Sequence, residues 1–391
     1  MHILIASDKF KGSLSAPEAC RAIEAGLRER LPEETHTIEM LPVADGGDGM
    51  ARALTEAADG EWRTTTVTDP LGEPVEAGYG WLEKERAAVI EMAEASGLAL
   101  LGERTNDPWA ASTSGTGELI AKAMEDGAES ILLGIGGSAT NDGGTGMAHA
   151  LGFRFLDRTG TELDDLPAQL DGAITILPPD QPDFPEIIVA CDVQNPLLGA
   201  EGCTRVYGPQ KGIDEADFSR HESRLTQLVL VLGELGETAS QLSGAGAAGG
   251  LGFGCLAFLR ARLEPGFTLV ADYLGLPAAI ARADLVITGE GKLDAQSLQG
   301  KAPCGVAELA REAGKPVVAF CGAKEEGAVR SEFDDIIEIA QPDWPVERNM
   351  AEAARLLGQA ASRFAAGLKC PPASFRCASQ RIRRKQGDAR S

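Results

Sequence analysis

One pattern recurs along this sequence: a short apolar run, a loop rich in glycine and polar residues, and then a helical segment. A clear copy is LLGIGGSATNDGGTGMAHALG at 132–152. Such strand–loop–helix units are typical of open α/β sheets, in which parallel strands alternate with helices. Ligands bind these sheets at the carboxyl ends of the strands, where loops far apart in sequence come together. The pattern therefore predicts the fold class and the place of a binding site.

The two ends of the chain share this rhythm. Strands are predicted at 2–6 and 37–41 near the beginning, and at 316–322 and 335–340 near the end. A chain of 391 residues also exceeds the usual size of one hydrophobic core. We therefore predict two α/β domains, the first an open parallel sheet of Rossmann or flavodoxin type built by both chain ends. The predicted ranges are 1–60 with 280–368 for this discontinuous domain, 61–279 for an inserted mixed α/β domain, and 369–391 for a basic, disordered tail.

Charge and cysteine usage narrow the function classes. The net charge of −23 argues against a nucleic-acid or anionic-membrane partner, since those surfaces attract basic patches. No apolar run is long enough to span a bilayer, and the first residues turn polar too soon for a signal peptide. Eight scattered cysteines without a C-x-x-C pair indicate reduced thiols, so we expect a cytoplasmic protein. Four histidines without a metal-binding spacing argue against zinc, which leaves carboxylates, lysines, hydroxyls and backbone groups for catalysis.

Five polar loops follow predicted strands and form the candidate site. They are 8–13, 45–49, 136–144, 192–196 and 289–294. The glycines of 136–144 let the backbone approach a ligand, and its N–H groups and the following helix favour an anion such as phosphate. Asp142 would repel a bare phosphate, so it is expected to face a metal, cap the helix or contact a hydroxyl. A simple helix cap is the alternative for the whole loop.

Other motifs are weaker. GAGAAGG at 244–250 matches the dinucleotide fingerprint G-x-G-x-x-G, but it follows a polar segment instead of a strand. Its alternative role is to let helices pack closely. A Walker A motif and the protein-kinase signatures are missing from the sequence. Four loop lysines are plausible partners of a phosphate or carboxylate: Lys9, Lys11, Lys211 and Lys301.

Taken together, these segments resemble the bacterial glycerate kinase family, of the glycerate 2-kinase type. The segments that carry the resemblance are DKFKGSLSA (8–16), LPVADGGDG (41–49), GTGELI (115–120), GGSATNDGGTGMAHALG (136–152), CDVQNPLLG (191–199), YGPQKG (207–212), GAGAAGG (244–250) and DLVITGEGKLDAQSLQGKAP (284–303). The resemblance extends through Phe364. The family usually has Pro-Asp-Ser-Phe-Lys where this chain has SDKFK at 7–11, so the chain departs from it at Ser7 and Lys9. It departs also at Ser114, where an aromatic residue is frequent, and throughout 370–391.

The resemblance implies transfer of the ATP γ-phosphoryl group to the C2 hydroxyl of (R)-glycerate, giving 2-phosphoglycerate and ADP. It also implies two domains with the site in the cleft between them. Such a transfer needs charge neutralisation and alignment more than covalent help. Mg²⁺ would bridge the ATP phosphates and take one or two carboxylates. The candidate metal ligands are Asp192, Glu290 and Asp294.

The resemblance also suggests the remaining roles. Asp45 or Asp192 would accept the hydroxyl proton, and Lys11 or Lys211 would pair with the glycerate carboxylate. The N–H groups of the 136–144 loop would cradle phosphate. The predicted substrate- and phosphate-binding residues are Asp8, Ser13, Gly46, Gly47, Gly136, Gly137, Ser138, Asn141, Asp142, Asn195 and Gln210.

Rival functions remain at this point. A kinase for another small hydroxy acid would carry the same loops, because the size of the substrate pocket is not visible in a sequence. A non-catalytic protein that binds acidic metabolites is disfavoured, since an anion binder has no use for so many carboxylates. A nicotinamide dehydrogenase ranks lower, because the glycine fingerprint is misplaced. The sequence leaves a homodimer open.

Overall fold

The computed structural model describes residues 1–44, 49–180, 183–293, 302–325 and 332–368. It is an α/β structure, as the sequence predicts. Its strands are β1 (His2–Ile5), β2 (Thr37–Met40), β3 (Glu61–Thr68), β4 (Pro74–Leu82), β5 (Ala87–Glu91), β6 (Ser130–Gly134), β7 (Arg154–Leu156), β8 (Thr175–Leu177), β9 (Glu186–Ala190), β10 (Arg262–Glu264), β11 (Leu285–Leu293), β12 (Val317–Lys324) and β13 (Asp335–Glu338).

The helices alternate with these strands along the chain. They are α1 (Ala16–Arg28), α2 (Met50–Ala57), α3 (Ala93–Ser96), α4 (Ser114–Glu125), α5 (Thr145–Ala150), α6 (Cys203–Tyr207), α7 (Phe218–Leu232), α8 (Glu234–Gln241), α9 (Ala247–Leu259), α10 (Gly266–Tyr273), α11 (Leu276–Arg282), α12 (Ala302–Glu312), α13 (Val346–Ala351) and α14 (Ala353–Gly367). Short 3-10 turns lie between some of them, including Leu98–Leu101 and Pro209–Lys211. No helix in the described ranges is both long enough and apolar enough to cross a membrane.

A five-stranded sheet joins the two ends of the chain, in the order β13-β12-β11-β1-β2. All its neighbouring strands are parallel. Counted by chain position within this sheet, the order is 2-1-3-4-5, the flavodoxin-like arrangement, and it reverses direction between β1 and β11. This confirms the predicted open parallel sheet. Ligands of such sheets bind at the reversal, next to the carboxyl ends of these two strands.

Helix α1 shows why the sequence folds as it does beside this sheet. Ser15 and Glu18 form a capping box, in which each side chain accepts a hydrogen bond from the other residue's backbone N–H. Ile23 and Leu27 then recur on one face and are fully buried. A Cβ at Gly26 would lie 2.0 Å from the carbonyl oxygen of Gly358, so glycine lets α1 pack tightly on α14.

A six-stranded sheet occupies the middle of the chain, in the order β10-β9-β6-β5-β4-β3. The four strands from β10 to β5 are parallel, and β4 and β3 continue the sheet antiparallel. Its core combines aliphatic and aromatic side chains, with Leu119 of α4, Leu133 of β6, Val189 of β9 and Phe253 of α9 fully buried. The parallel strands place the loops after β5, β6, β9 and β10 at one edge of the sheet.

The chain divides into two compact units. The described residues of Met1–Asp45 and those from Val270 onward form one, and the described residues of Gly46–Leu269 form the other. This division differs from the predicted boundaries at 60 and 280. Helix α2 packs on β4 and β5 of the six-stranded sheet, whereas α11 packs on β1 and α12.

One element prediction near the end of the chain is wrong. The segment 289–294 was expected to be a loop after a strand, but β11 continues to Leu293 and pairs with β12 as far as Lys324. Glycine-rich sequence suggested the loop, and pairing with a long neighbour overrides it. The last helical segment is divided at Glu352 into two helices, α13 and α14.

Candidate active site

The loop that follows β6 is fixed at its base and exposed at its tip. Leu98 N–H donates to the Gly137 carbonyl at 2.9 Å, and Ala139 N–H donates to the Ser96 carbonyl at 3.0 Å. Gly137 has a φ of 75°, a conformation that favours glycine. Gly136 and Gly137 are exposed, whereas the side chain of Ser138 is buried. Within the described chain, the N–H groups of Gly136 and Gly137 donate to no backbone acceptor, which suits them to an anion.

Lys211 supports this loop from inside. Its side chain is 1% exposed, and its Nζ donates to Ser138 Oγ and to the Thr140 carbonyl, both at 2.6 Å. Burial lowers the pKa of Lys211 to about 8. The sequence predicted Lys211 as a catalytic cation that contacts substrate. In the structure, the ammonium group is instead buried and donates to two oxygens of the loop.

Asp142 has a structural role that the sequence left open. Its carboxylate is fully buried and accepts hydrogen bonds from the N–H groups of Thr113, Gly144 and Gly146 and from Thr113 Oγ1. It therefore caps the beginnings of both α4 and α5. The substrate contact predicted for Asp142 is replaced by these bonds. The start of α5, which was expected to face phosphate, is occupied by the protein's own carboxylate.

The GAGAAGG segment packs on the same loop. A Cβ at Gly249 would lie 2.0 Å from the Thr140 carbonyl oxygen, and a Cβ at Gly250 would lie 2.8 Å from Gly143 Cα. The Gly249 carbonyl also accepts the N–H of Gly143 at 3.0 Å. Ala248, Gly249 and Gly250 all have positive φ. The glycines thus serve close backbone packing, which was the alternative to a dinucleotide site.

Residues after β9 lie at the same edge of the six-stranded sheet. Asp192 is exposed, and its Oδ1 accepts the N–H of Gly266 at 2.8 Å. The Asn195 side chain is engaged within the protein, since Oδ1 accepts the Tyr207 hydroxyl at 2.6 Å and Nδ2 donates to the Glu201 carbonyl. Gln210 is exposed. The Asn141 amide is buried and donates to Thr204 Oγ1 at 3.1 Å.

The other unit carries a second group of predicted residues at the reversal of its sheet. Asp8 follows β1 and is 4% exposed, and its N–H donates to the Gly289 carbonyl of β11 at 2.9 Å. Glu290, the next residue of β11, is 6% exposed. Lys11 is exposed, and Ser13 Oγ donates to the Phe10 carbonyl within its own turn. Two shielded carboxylates therefore lie where open sheets bind ligands.

Several predicted residues lie outside the described ranges, namely Asp45, Gly46, Gly47, Asp294 and Lys301. Among the residues that are described, no three acidic, cysteine or histidine side chains gather as a metal site. Mg²⁺ does not require such a cluster, since it commonly takes one or two carboxylates and completes its shell with phosphates and water.

Three further residues, Glu91, Thr113 and Asn106, support the loops of the candidate site, although the sequence patterns do not single them out. Glu91, at the end of β5, is 8% exposed and accepts the N–H groups of Gly49 and Ala51 at the beginning of α2. Thr113 joins α4 to Asp142. Asn106 links two loops through its side-chain amide. Of these three residues, only Glu91 has a signal in the sequence, because it is a polar residue at the end of a strand. Asn106 and Thr113 lie in an irregular segment.

Comparisons with known proteins match most of this chain to a single family. The model of the glycerate kinase family matches residues 3–369. A protein named glycerate kinase from Halalkalibacterium halodurans is 42% identical over 371 residues, which cover 93% of this chain and 97% of the relative. A protein named glycerate 2-kinase from Escherichia coli is 45% identical over 328 residues, covering 83% and 85%. A crystal structure named for glycerate kinase 2 from Salmonella typhimurium LT2 has a TM-score of 0.85 at 41% identity, covering 94% and 98%.

Proposed function

This chain belongs to the glycerate kinase family, and we propose that it transfers the γ-phosphoryl group of ATP to the C2 hydroxyl of (R)-glycerate. The products are 2-phosphoglycerate and ADP. The observation that carries this proposal is the match of nearly the whole chain to relatives named glycerate kinase. The choice of C2 rests on the relative named glycerate 2-kinase.

The N–H groups of Gly136, Gly137 and Ser138 are our candidates for binding a phosphate group of ATP. They lie at the carboxyl edge of a parallel sheet, and Gly136 and Gly137 are exposed. The loop is held from inside by the Lys211 ammonium group. Such preorganised donors stabilise the charge that develops during phosphoryl transfer, because they need not reorient when it appears.

Carboxylates and one lysine complete the proposed machinery. Asp192 is exposed after β9 and suits either acceptance of the hydroxyl proton or coordination of Mg²⁺, with Asp45 as the other candidate base. Glu290 and Asp294 are the other proposed metal ligands. Mg²⁺, when bound with ATP, would neutralise phosphate charge. Lys11 remains exposed and is our candidate partner for the glycerate carboxylate.

We also propose a cytoplasmic location, where thiols stay reduced. Cys20, Cys203 and Cys255 are buried free thiols. Burial raises the pKa of Cys20 and of Cys255 to about 12, which keeps both thiols protonated and unreactive.

The test is a product analysis with the purified full-length chain. Incubation with MgATP and (R)-glycerate should yield ADP and 2-phosphoglycerate, and ³¹P NMR separates the 2-phosphate from the 3-phosphate. Exclusive 3-phosphoglycerate would contradict the assignment of C2. A higher kcat/KM for another small hydroxy acid would contradict glycerate as the preferred substrate.

A further inference from the structure

Asn106 joins two loops that are distant in sequence. It lies in the irregular segment between the 3-10 turn Leu98–Leu101 and α4. Its Nδ2 donates to the Ala139 carbonyl at 2.8 Å and to the Lys211 carbonyl at 2.9 Å. One amide group therefore ties the loop after β6 to the turn that carries Lys211.

We propose that Asn106 is a positioning residue for nucleotide binding, acting through the loop that contains Gly136, Gly137 and Ser138. The proposal rests on the phosphate-binding role suggested above for this loop. Lys211 is held at both ends: Asn106 fixes its backbone carbonyl, and its Nζ is bonded to Ser138 Oγ and the Thr140 carbonyl. Together these bonds set the direction of the exposed loop amides.

The chemistry of the contact explains why an amide is needed. Two carbonyl oxygens must receive two N–H groups from one side chain, and the asparagine NH₂ supplies both. The Asn106 Oδ1 is buried and has no hydrogen-bond donor within the described chain. A buried polar atom without a partner is unfavourable, and the two hydrogen bonds of the NH₂ group offset this cost. An aspartate in its place would turn a carboxylate oxygen toward two carbonyl oxygens.

The variants Asn106→Ala and Asn106→Asp test this role. We expect the Kd of MgATP, measured by calorimetry without glycerate, and the KM for ATP to rise about tenfold in Asn106→Ala, with the KM for glycerate within about twofold. Asn106→Asp should bind MgATP more weakly still, since repulsion between its carboxylate and the two carbonyl oxygens is added to the loss of two hydrogen bonds. Two facing carbonyl oxygens should raise the pKa of the introduced carboxyl well above its usual range. Lowering the pH from about 8 to about 5.5 should then partly restore its ATP affinity relative to wild type, because the protonated carboxyl regains one donor.

Gln227→Ala is the matched control. The Gln227 Nε2 also donates to a distant carbonyl, that of Ala173 at 3.1 Å, which lies outside the loop after β6. Its removal should leave the Kd of MgATP unchanged. If Asn106→Ala does not fold, Asn106→Ser retains one donor and should show a smaller increase in the same Kd.

Three outcomes would overturn the proposal: unchanged ATP affinity in the Asn106 variants, an equal loss in Gln227→Ala, or a rise confined to the KM for glycerate. Failure of the proposed function has a different signature. The wild-type chain would then form no phosphoglycerate, while the calorimetric comparison of nucleotide binding would still report on Asn106.

Discussion

At the scale of single residues, burial changes what a side chain does. Lys211 and Asp142 have the residue types expected of a kinase site, yet they are 1% and 0% exposed, and their charged groups form hydrogen bonds within the protein. Exposed Asp192 is different, because it lies at the carboxyl edge of the sheet with its side chain partly in solvent. We therefore expect Asp192 to take part in the reaction directly, and Lys211 and Asp142 to fix the geometry of the loop after β6.

Asp192→Asn tests that distinction. The amide oxygen can keep the hydrogen bond from the Gly266 N–H, so the fold should be preserved. Loss of the negative charge removes a base or a Mg²⁺ ligand, and we expect kcat to fall by at least about 100-fold. Steady-state kinetics and thermal unfolding measure the two effects. Turnover close to that of wild type would refute the role of Asp192.

The buried ring of His221 makes the stability of the fold depend on pH. Its ring is 1% exposed and stacks on Trp109 with centroids 3.7 Å apart. Neither ring nitrogen has a hydrogen-bond partner in the part of the chain that the structure describes. Burial, with Arg224 and Arg220 nearby and against the weaker pull of two aspartates, lowers its pKa to about 4. The folded protein therefore keeps His221 neutral at pH values where an unfolded chain would protonate it.

Wild type should therefore lose stability as the pH falls from about 6.5 toward about 4, since the unfolded state binds the extra proton. Between pH 7 and pH 5 this one group accounts for about 2 kcal/mol. His221→Phe keeps an aromatic ring against Trp109 and removes the titration. Urea unfolding at both pH values should show a smaller loss in the variant. Parallel losses in the two proteins would exclude His221 as the cause.

At the scale of elements, the loop after β6 depends on its neighbour. Gly249 has a φ of 66° and approaches the Thr140 carbonyl so closely that a Cβ would lie 2.0 Å from the oxygen. The backbone of the loop and that of the GAGAAGG segment therefore form one packed unit.

Gly249→Ala should destabilise the protein by more than about 2 kcal/mol, because the clash adds to the cost of a left-handed backbone. Gly275→Ala is the matched control. Gly275 has a φ of 64°, and no atom lies within 4 Å of the position that an alanine Cβ would take, so only the backbone cost of about 1 kcal/mol applies. Chemical denaturation compares the two. Equal losses would show that the contact with Thr140 tolerates a methyl group.

The elements that the sequence predicted well are those with strong local signals. β1 and β2 begin at the predicted residues 2 and 37, and each ends one residue before the predicted bound. The prediction ended the strand β11 too early, because Gly289 and Gly291 are typical of a loop. The strand continues because it pairs with β12. Likewise, the burial of Lys211 and Asp142 arises from contacts with Ser138 and Thr113, which sequence spacing does not disclose.

At the scale of the whole molecule, family membership and fold class are confirmed, and the site roles stay predictions. The strand–loop–helix pattern predicted the open parallel sheet, and the quoted motifs predicted the family match over residues 3–369. The unit boundary could not be predicted, because α2 has an ordinary amphipathic sequence. Its position is set by Glu91, whose carboxylate receives the N–H groups at the beginning of that helix.

The segment after residue 369 gives a test at this scale, since the family match ends there. The described part of the chain already supplies α14 to the core beside the five-stranded sheet: Leu357, Ala361 and Ala365 are buried, and α14 ends at Gly367. A chain truncated after Leu368 should therefore keep its thermal midpoint within about 2 °C and its kcat/KM within about twofold. Differential scanning calorimetry and the NMR product assay measure both, with the full-length chain as reference. A large loss of kcat/KM at an unchanged midpoint would instead assign the basic segment a part in the reaction.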